Sequence, residues 1–246
     1  MTRRYYVPEL MTVAGMVSLP AEEAMHAARV MRVGVGDPVE LFDGCGHQSA
    51  GEVSAVGKRE CVCRVDSPVA VDREPSAKLT LATAIPKPDR AKEMVERLTE
   101  MGVDRIQPLV FERTQRGPTD SLIGKLERIV IESCKQSGRN RLMRILPTMR
   151  FSAWIAAHCQ RAQATGSSDG SPINAWVATP GGKTISYTPD PRVRSDCVTV
   201  IGPEGGLTDR ELQDCLDASM ESIDLGKRIL RIETAACVVA ARILSD

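Results

Sequence analysis

The apolar and polar positions of this 246-residue chain follow two rhythms, and the change falls near residue 72. Before it, apolar runs are short and broken by turn residues: 4–7, 39–42, a run through Val56, and 61–65. Asp43-Gly44-Cys45-Gly46 stands between the second and third. Asp-Gly between apolar runs marks a hairpin, and several strands this short predict a small β-barrel. One helix interrupts them over 20–32, where Pro20 suits a first helical turn and Glu22 and Glu23 suit the positive end of the helix dipole. Residues 66–77, with Pro68, Pro75 and mixed charge, read as a linker. The expected domains are 1–72 and 73–246.

From Lys78 onward, strands and helices alternate. Strands are predicted at 79–85, 106–111, about 144–146, 175–178, 197–201 and 222–225. Helices are predicted at 89–101, 122–136, 152–161, 209–218 and 233–245, with a Gly- and Ser-rich loop at 164–171. In the helix over 89–101, Met94, Leu98 and Met101 repeat at i, i+4 and i+7, and Gly102 ends it. Repeated β–α alternation predicts an α/β domain, a mostly parallel sheet with helices on its faces.

Composition narrows the classes. With 42% hydrophobic and 26% charged residues, the chain is ordinary globular protein. No apolar run approaches the roughly eighteen residues of a membrane span. The opening Met1-Thr-Arg-Arg-Tyr-Tyr-Val-Pro8 lacks the apolar stretch of a secretory signal, so a soluble, cytoplasmic protein is expected. The eight cysteines include no Cys-x-x-Cys, and His26, His47 and His158 form no ligand motif, so no metal is expected. Cys61 and Cys63 share one face of a strand and read as buried thiols.

Zero net charge hides an asymmetry: −3 over 1–72, +6 over 73–150 and −3 over 151–246. Between Ser133 and Ser168 there is no acid, yet Lys135, Arg139, Arg141, Arg144, Arg150 and Arg161 all occur. Such a stretch either meets a polyanion, for which Arg is the better fork, or is a face balanced by acids from elsewhere in the fold.

Three glycine-bearing segments follow predicted strands in the last third: Thr179-Pro-Gly-Gly182, Gly202-Pro-Glu-Gly-Gly206 and Leu225-Gly-Lys-Arg-Ile-Leu-Arg231. In open α/β sheets ligands sit beyond the carboxyl ends of strands, so the three are placed to line one pocket. Thr208 and Glu211 make a Thr-x-x-Glu capping box that starts a helix directly after the second segment. Backbone amides there can approach a ligand with no side chain in the way. Taken alone, the second segment is more often a tight turn than a site. Neither Gly-x-Gly-x-x-Gly nor a phosphate-binding Gly-x-x-x-x-Gly-Lys motif is present.

Ile201-Gly-Pro-Glu-Gly-Gly-Leu-Thr208 followed by Leu225-Gly-Lys-Arg-Ile-Leu-Arg-Ile-Glu-Thr-Ala235 resembles the paired signature of the SPOUT methyltransferases. Within that superfamily it is most similar to the ribosomal RNA small subunit methyltransferase E family. Lys87-Pro-Asp-Arg90, Leu98-Thr-Glu-Met-Gly-Val103, Glu132-Ser-Cys-Lys-Gln-Ser-Gly-Arg139 and Arg3-Arg-Tyr-Tyr-Val7 extend the resemblance nearly end to end. It departs at Arg97, where the family commonly has Lys, and in the 164–171 stretch.

The resemblance implies a PUA-like RNA-binding barrel followed by a SPOUT-type α/β domain with a trefoil knot. It implies a homodimer with its active site at the dimer interface. The reaction implied is methylation of N3 of a uridine near the 3′ end of 16S rRNA, in the small ribosomal subunit, with S-adenosylmethionine. By position, the cofactor falls on Ala178, Thr179 and Pro180, on Ile201, Gly202, Pro203, Gly205 and Gly206, and on Leu225, Gly226, Ile229, Leu230 and Thr234. Adenine needs an apolar slot and backbone hydrogen bonds, and these loops offer both.

The proton on uridine N3 must leave, so a base or a stabiliser of the developing anion is needed. Glu204 and Arg231 are the candidates, with Glu233 the other nearby carboxylate. For RNA the candidates are Lys87, Arg90, Arg113, Arg116, Arg139 and Arg141, helped by Arg3 and Arg4. With only 3% aromatic residues, recognition by shape and phosphate is expected. Two alternatives stand: a SPOUT enzyme methylating a ribose 2′-oxygen, and a non-catalytic RNA-binding protein of ribosome assembly.

Overall fold

Short strands and their turn residues build the first part of the chain. The computed structural model describes residues 3–10, 15–164, 174–184 and 195–244. It divides into two units, Met1–Glu74 with Ile131–Leu142, and Pro75–Val130 with Met143–Asp246.

In the first unit, β1 (Arg3–Tyr6), β2 (Gly15–Ser18), β3 (Pro38–Phe42), β4 (His47–Val56) and β5 (Cys61–Val65) form one sheet in the order β1-β3-β4-β5-β2, with β6 (Val69–Ala70) on β4. The β3–β4 hairpin turns where Asp-Gly predicts it. One carboxylate oxygen of Asp43 accepts from the backbone N–H of Cys45 at 2.7 Å and of His47 at 3.0 Å. Alternation buries Val39 and Leu41 from β3 and Cys61, Cys63 and Val65 from β5. Tyr5 and Val17, from the two ends of the sheet path, join the same core, so the sheet curls round it as a small barrel does. Burial pushes the Cys63 thiol up to about 12. The helix after Pro20 runs as α1 (Ala21–Met25) and continues with π winding over His26–Val30.

Residues 131–142 complete this unit. Buried Lys135 donates from Nζ to both oxygens of buried Glu23, at 3.2 and 3.1 Å, and to Glu132 at 2.9 Å. His26 Nδ1 lies 3.4 Å away. Burial raises the Glu23 carboxyl above the usual carboxylate range, against the pull of Lys135.

The second unit holds β7 (Ala77–Thr83), α2 (Pro88–Glu100), β8 (Arg105–Val110), most of α3 (Asp120–Ser137), β9 (Arg144–Ile145), β10 (Met149–Arg150), α4 (Phe151–Ala164), β11 (Asn174–Thr184), β12 (Ser195–Ile201), α5 (Asp209–Asp217), β13 (Glu221–Asp224) and α6 (Ile232–Leu244). Its sheet runs β10-β8-β7-β12-β11-β13, with β9 on β8, and every pair is parallel. Central β7 is buried on both faces, as parallel strands between helices are. Of the expected stripe, Met94 and Leu98 are wholly buried beside Val95, while Met101 stands half-buried at the C-cap of α2, and α2 packs against α6. No helix among the described residues is long and apolar enough to cross a membrane. Past Ala164, the loop expected at 164–171 lies outside the described residues.

One row of the register matters for function. Pro108, Thr83, Ile201, Ala178 and Ile223 stand side by side across β8, β7, β12, β11 and β13. Because the strands are parallel, the segments that follow this row leave the sheet at one edge, the carboxyl edge.

Candidate active site

The three glycine segments meet at that carboxyl edge, on the adjacent strands β11, β12 and β13. The first departs from expectation: β11 does not end at Ala178. Ala178 and Lys183 both pair with Ile223, so residues 179–182 project as a four-residue bulge, after which the strand resumes. Gly182 permits this. A Cβ there would sit 2.6 and 2.7 Å from the backbone carbon and nitrogen of Ile223, closer than any side chain is tolerated.

The second segment is held by its neighbours. Gly206 N–H donates to the Pro203 carbonyl at 2.8 Å. The capping box forms in both directions: Glu211 N–H to Thr208 Oγ1 at 3.2 Å, and Thr208 N–H to Glu211 Oε2 at 2.9 Å. The remaining oxygen of Glu211 takes the Glu112 N–H at 2.8 Å. Arg113, expected at an RNA face, donates from Nη1 to the Gly205 and Leu207 carbonyls, each at 3.1 Å, and so fastens this loop while staying exposed.

Asp224, unnoticed in the sequence, joins the first and third segments. Its Oδ1 accepts from Gly226 N–H at 2.7 Å and its Oδ2 from Gly181 N–H at 2.9 Å. Both glycines have positive φ, +123° and +80°, which turns their amides onto one acceptor. These two donors hold the Asp224 carboxyl below the usual carboxylate range. The signal available in the sequence was an Asp two residues before a Gly, the pattern of an Asx turn.

The remaining expected contacts spread over rim and wall. Ile201 and Pro203 are buried; Ala178, Thr179, Gly202, Leu225 and Leu230 are half-buried; Pro180, Gly205, Gly226 and Thr234 are exposed. Ile229, expected on the cofactor, is 97% exposed on the third segment, between the Asp224 clamp and the start of α6. Glu204 and Arg231 are both exposed on the same rim. Glu233, in the first turn of α6, is buried, with Oε1 3.9 Å from Arg90 Nη1 and Oε2 without a hydrogen-bond partner.

The expected RNA contacts divide sharply. Lys87, at the N-cap of α2, and Arg116 are exposed and follow β7 and β8 at the carboxyl edge, where Arg90 also stands, turned toward Glu233. In the first unit Arg141 is exposed and lies over Gly46. Arg3 pairs with Asp37 at 2.5 Å. Arg4 and Arg139 are corrections, because both are drawn inward by acids and carbonyls. Arg4 bonds Glu40 at 2.6 Å, the Cys134 carbonyl at 2.6 Å and Asn140 Oδ1. Arg139 is 5% exposed and pairs with Glu74 at 2.6 Å. The acid-free basic run is thus partly neutralised by distant carboxylates.

Comparison with known proteins places this geometry. Residues 72–244 match the model of the RNA methyltransferase domain family, and residues 19–66 that of the RNA methyltransferase PUA domain. The chain is similar to ribosomal RNA small subunit methyltransferase E of a Synechocystis species, with 26% identity over 99% of this chain and 77% of that one. It is similar to the protein of that name from Bacillus subtilis, with 28% identity over 95% and 92%. A crystal structure of ribosomal RNA small subunit methyltransferase E from Neisseria gonorrhoeae, bound to S-adenosyl methionine, matches with a TM-score of 0.85 and 28% identity over 98% of this chain and 96% of that one. A putative methyltransferase from Legionella pneumophila, in complex with the same cofactor, matches at 0.83 with 27% identity over the same shares.

Proposed function

Since the chain belongs to the RNA methyltransferase family, we propose that it methylates N3 of a uridine near the 3′ end of 16S rRNA in the small ribosomal subunit, using S-adenosylmethionine. The observation that carries this reading is the carboxyl edge of the second unit, where three glycine segments on adjacent parallel strands stand beside exposed Lys87, Arg113 and Arg116.

The segments fit the cofactor. Gly182 admits no side chain and at Gly202 a Cβ would crowd Leu207 at 3.0 Å, so both segments keep bare amides and carbonyls of the kind an adenine needs. Ala178, Thr179 and Pro180, Ile201, Gly202, Pro203, Gly205 and Gly206, and Leu225, Gly226, Ile229, Leu230 and Thr234 would hold it. When bound, it supplies a methyl group on a positively charged sulfur. The chain's own residues orient the uracil for in-line attack, and such positioning supplies much of the rate. Glu204 accepts the N3 proton, and Arg231 stabilises the negative charge that spreads to the uracil oxygens. Residues 1–72 act as the RNA-binding module and 73–246 as the catalytic one. The trefoil knot, the homodimer with its active site at the interface and the cytoplasmic location belong to the same proposal.

The test is methyl transfer from labelled S-adenosylmethionine to unmodified small ribosomal subunits, followed by nucleoside analysis of the RNA. The expected product is 3-methyluridine. A 2′-O-methyl nucleoside would overturn the position of attack, and unlabelled RNA would overturn the reaction.

A further inference from the structure

We propose that Asp224 is a positioning residue of the cofactor cradle: by holding the Gly181 and Gly226 amides on one carboxylate, it aims the Pro180 and Leu225 carbonyls away from itself, as acceptors for an amino group of S-adenosylmethionine. That role rests on the methyltransferase reading and adds to it a residue that lies outside the three glycine segments and acts through two of them.

Asp224 closes β13, and its backbone is tied before its side chain acts. It pairs with Thr184 across the sheet, and its carbonyl takes Arg242 Nη1 from α6 at 3.1 Å. From there the carboxylate reaches both ways, Oδ2 to Gly181 in the first segment at 2.9 Å and Oδ1 to Gly226 in the third at 2.7 Å. An ionised carboxylate only accepts, so both amides can share it. Held below the usual carboxylate range by those amides, it keeps its charge at neutral pH.

Each amide fixes the far side of its own peptide. A trans peptide is planar, with N–H and C=O pointing opposite ways, and no described peptide bond is cis. Gly181 N–H aimed at Asp224 therefore turns the Pro180 carbonyl away, and Gly226 N–H does the same to Leu225. Neither residue stands in a paired row of the sheet: Pro180 lies within the bulge and Leu225 follows β13. A Cβ on Gly181 or Gly226 would meet nothing within 4 Å. Glycine is required there by φ alone, which places the demand on the direction of these two peptides and not on space.

Pro180 and Leu225 both fall among the expected cofactor contacts, and S-adenosylmethionine carries two amino groups, one on adenine and one on its methionine part. An amino group donates more than one hydrogen, and carbonyls already aimed spare the cost of ordering two loops on binding.

The test uses the full chain, first free and then titrated. Asp224→Ala is expected to weaken S-adenosylmethionine about tenfold by calorimetry, the low end for losing a hydrogen bond to a charged group, while the free protein melts as the parent does. Asp224→Asn keeps one acceptor but turns a donor on the second amide, so its loss is expected to be smaller. In free protein with isotope-labelled glycine, the Gly181 and Gly226 amide signals are expected to move together in Asp224→Ala. Methylthioadenosine, which lacks the methionine amine, separates the two donors: weakened alongside S-adenosylmethionine, it assigns the carbonyls to adenine, and spared, to the methionine part. If Asp224→Ala binds S-adenosylmethionine like the parent, the positioning role is wrong. If affinity and Tm fall together and Asn restores neither, Asp224 only holds the fold and the role is equally wrong. Lost affinity with unmoved glycine signals would mean that the carboxylate touches the cofactor itself, which also overturns it. Failure of the parent reading looks different, since the unaltered protein would then bind no S-adenosylmethionine or label no RNA.

Discussion

Gly182→Ala is the substitution whose cost can be worked most directly from the structure. The added methyl carbon meets three atoms: the backbone carbon of Ile223 at 2.6 Å, its nitrogen at 2.7 Å and Ser222 Oγ at 2.7 Å. The serine hydroxyl can rotate away; the two backbone atoms cannot. Either the 179–182 bulge lifts from β13 or β13 shifts, and forced overpacking of this kind costs about 1–3 kcal/mol. If the bulge lifts, the strain surfaces in ligand binding, and S-adenosylmethionine affinity falls roughly 5- to 150-fold. If β13 yields, it surfaces in folding, at about 2–4 °C of Tm per kcal/mol for a chain of this size. Calorimetric titration and thermal melting together read both channels. Gly51→Ala is the control. Its Cβ would strike the Arg64 carbonyl and Val65 in the first unit, so it is expected to lower Tm and leave cofactor affinity alone. A Gly182→Ala protein that binds S-adenosylmethionine and melts like the parent would refute the close approach of the bulge to β13. Equal affinity losses in both variants would refute the location of the cradle.

Other outcomes follow from the same structure. Lys135→Met leaves buried Glu23 without its cation and is expected to cost about 3–5 kcal/mol by urea melting, whereas Glu23→Leu combined with Lys135→Met is expected to come out near neutral; a single variant as stable as the parent would contradict the buried pair. Because burial raises the folded-state carboxyl of Glu23 above its ordinary 4.5, the folded protein binds a proton that the unfolded chain releases. The stability Glu23 contributes is therefore full below about 4.5 and is lost as pH rises through the raised value. Glu23→Gln should flatten that part of the urea-melt pH profile, and an unchanged slope would assign it to another group. Arg231→Ala and Glu204→Gln are each expected to lower kcat at least tenfold, about 1.4 kcal/mol of barrier, with cofactor affinity unchanged; a smaller drop removes that residue from catalysis. Gly124→Ala, in open space within α3, should stabilise the protein by about 0.5–1 kcal/mol in thermal melts.

Locally encoded features were legible before the structure. The 3.6-residue stripe of α2 and the reciprocal Thr208–Glu211 cap both depend on residues within one or two turns of each other; the cap is found as expected, and so are Met94 and Leu98 of the stripe, Met101 falling at the C-cap. What depends on distant partners was not legible. Strand β2, only four residues long, exists because it pairs with β5 some fifty residues on. Strand β6 lies within the presumed linker because His47 and Gln48 offer it an edge. The basic run left two readings open for the same reason. Its counter-charges sit 112 residues away in the Lys135–Glu23 pair and 65 away in Arg139–Glu74, beyond any local tally of acids and bases. At the site, the glycines revealed themselves by composition, but the carboxylate that ties two of them together did not.

The first unit borrows residues 131–142 from far along the chain, and that has a consequence for how the protein is made. The Cys134 carbonyl and Asn140 satisfy Arg4, Lys135 neutralises Glu23, and the Gly138 carbonyl receives Arg73. None of these partners exists when residue 74 leaves the ribosome. During synthesis the nascent barrel therefore waits for nearly seventy more residues, with Glu23 lacking its cation and Arg4 held by Glu40 alone. Domains commonly finish in the order they are translated; here the N-terminal one is completed only by residues 131–142. A fragment ending at residue 74 would lack those partners for good, and a piece of this protein that holds the whole first unit extends through Leu142.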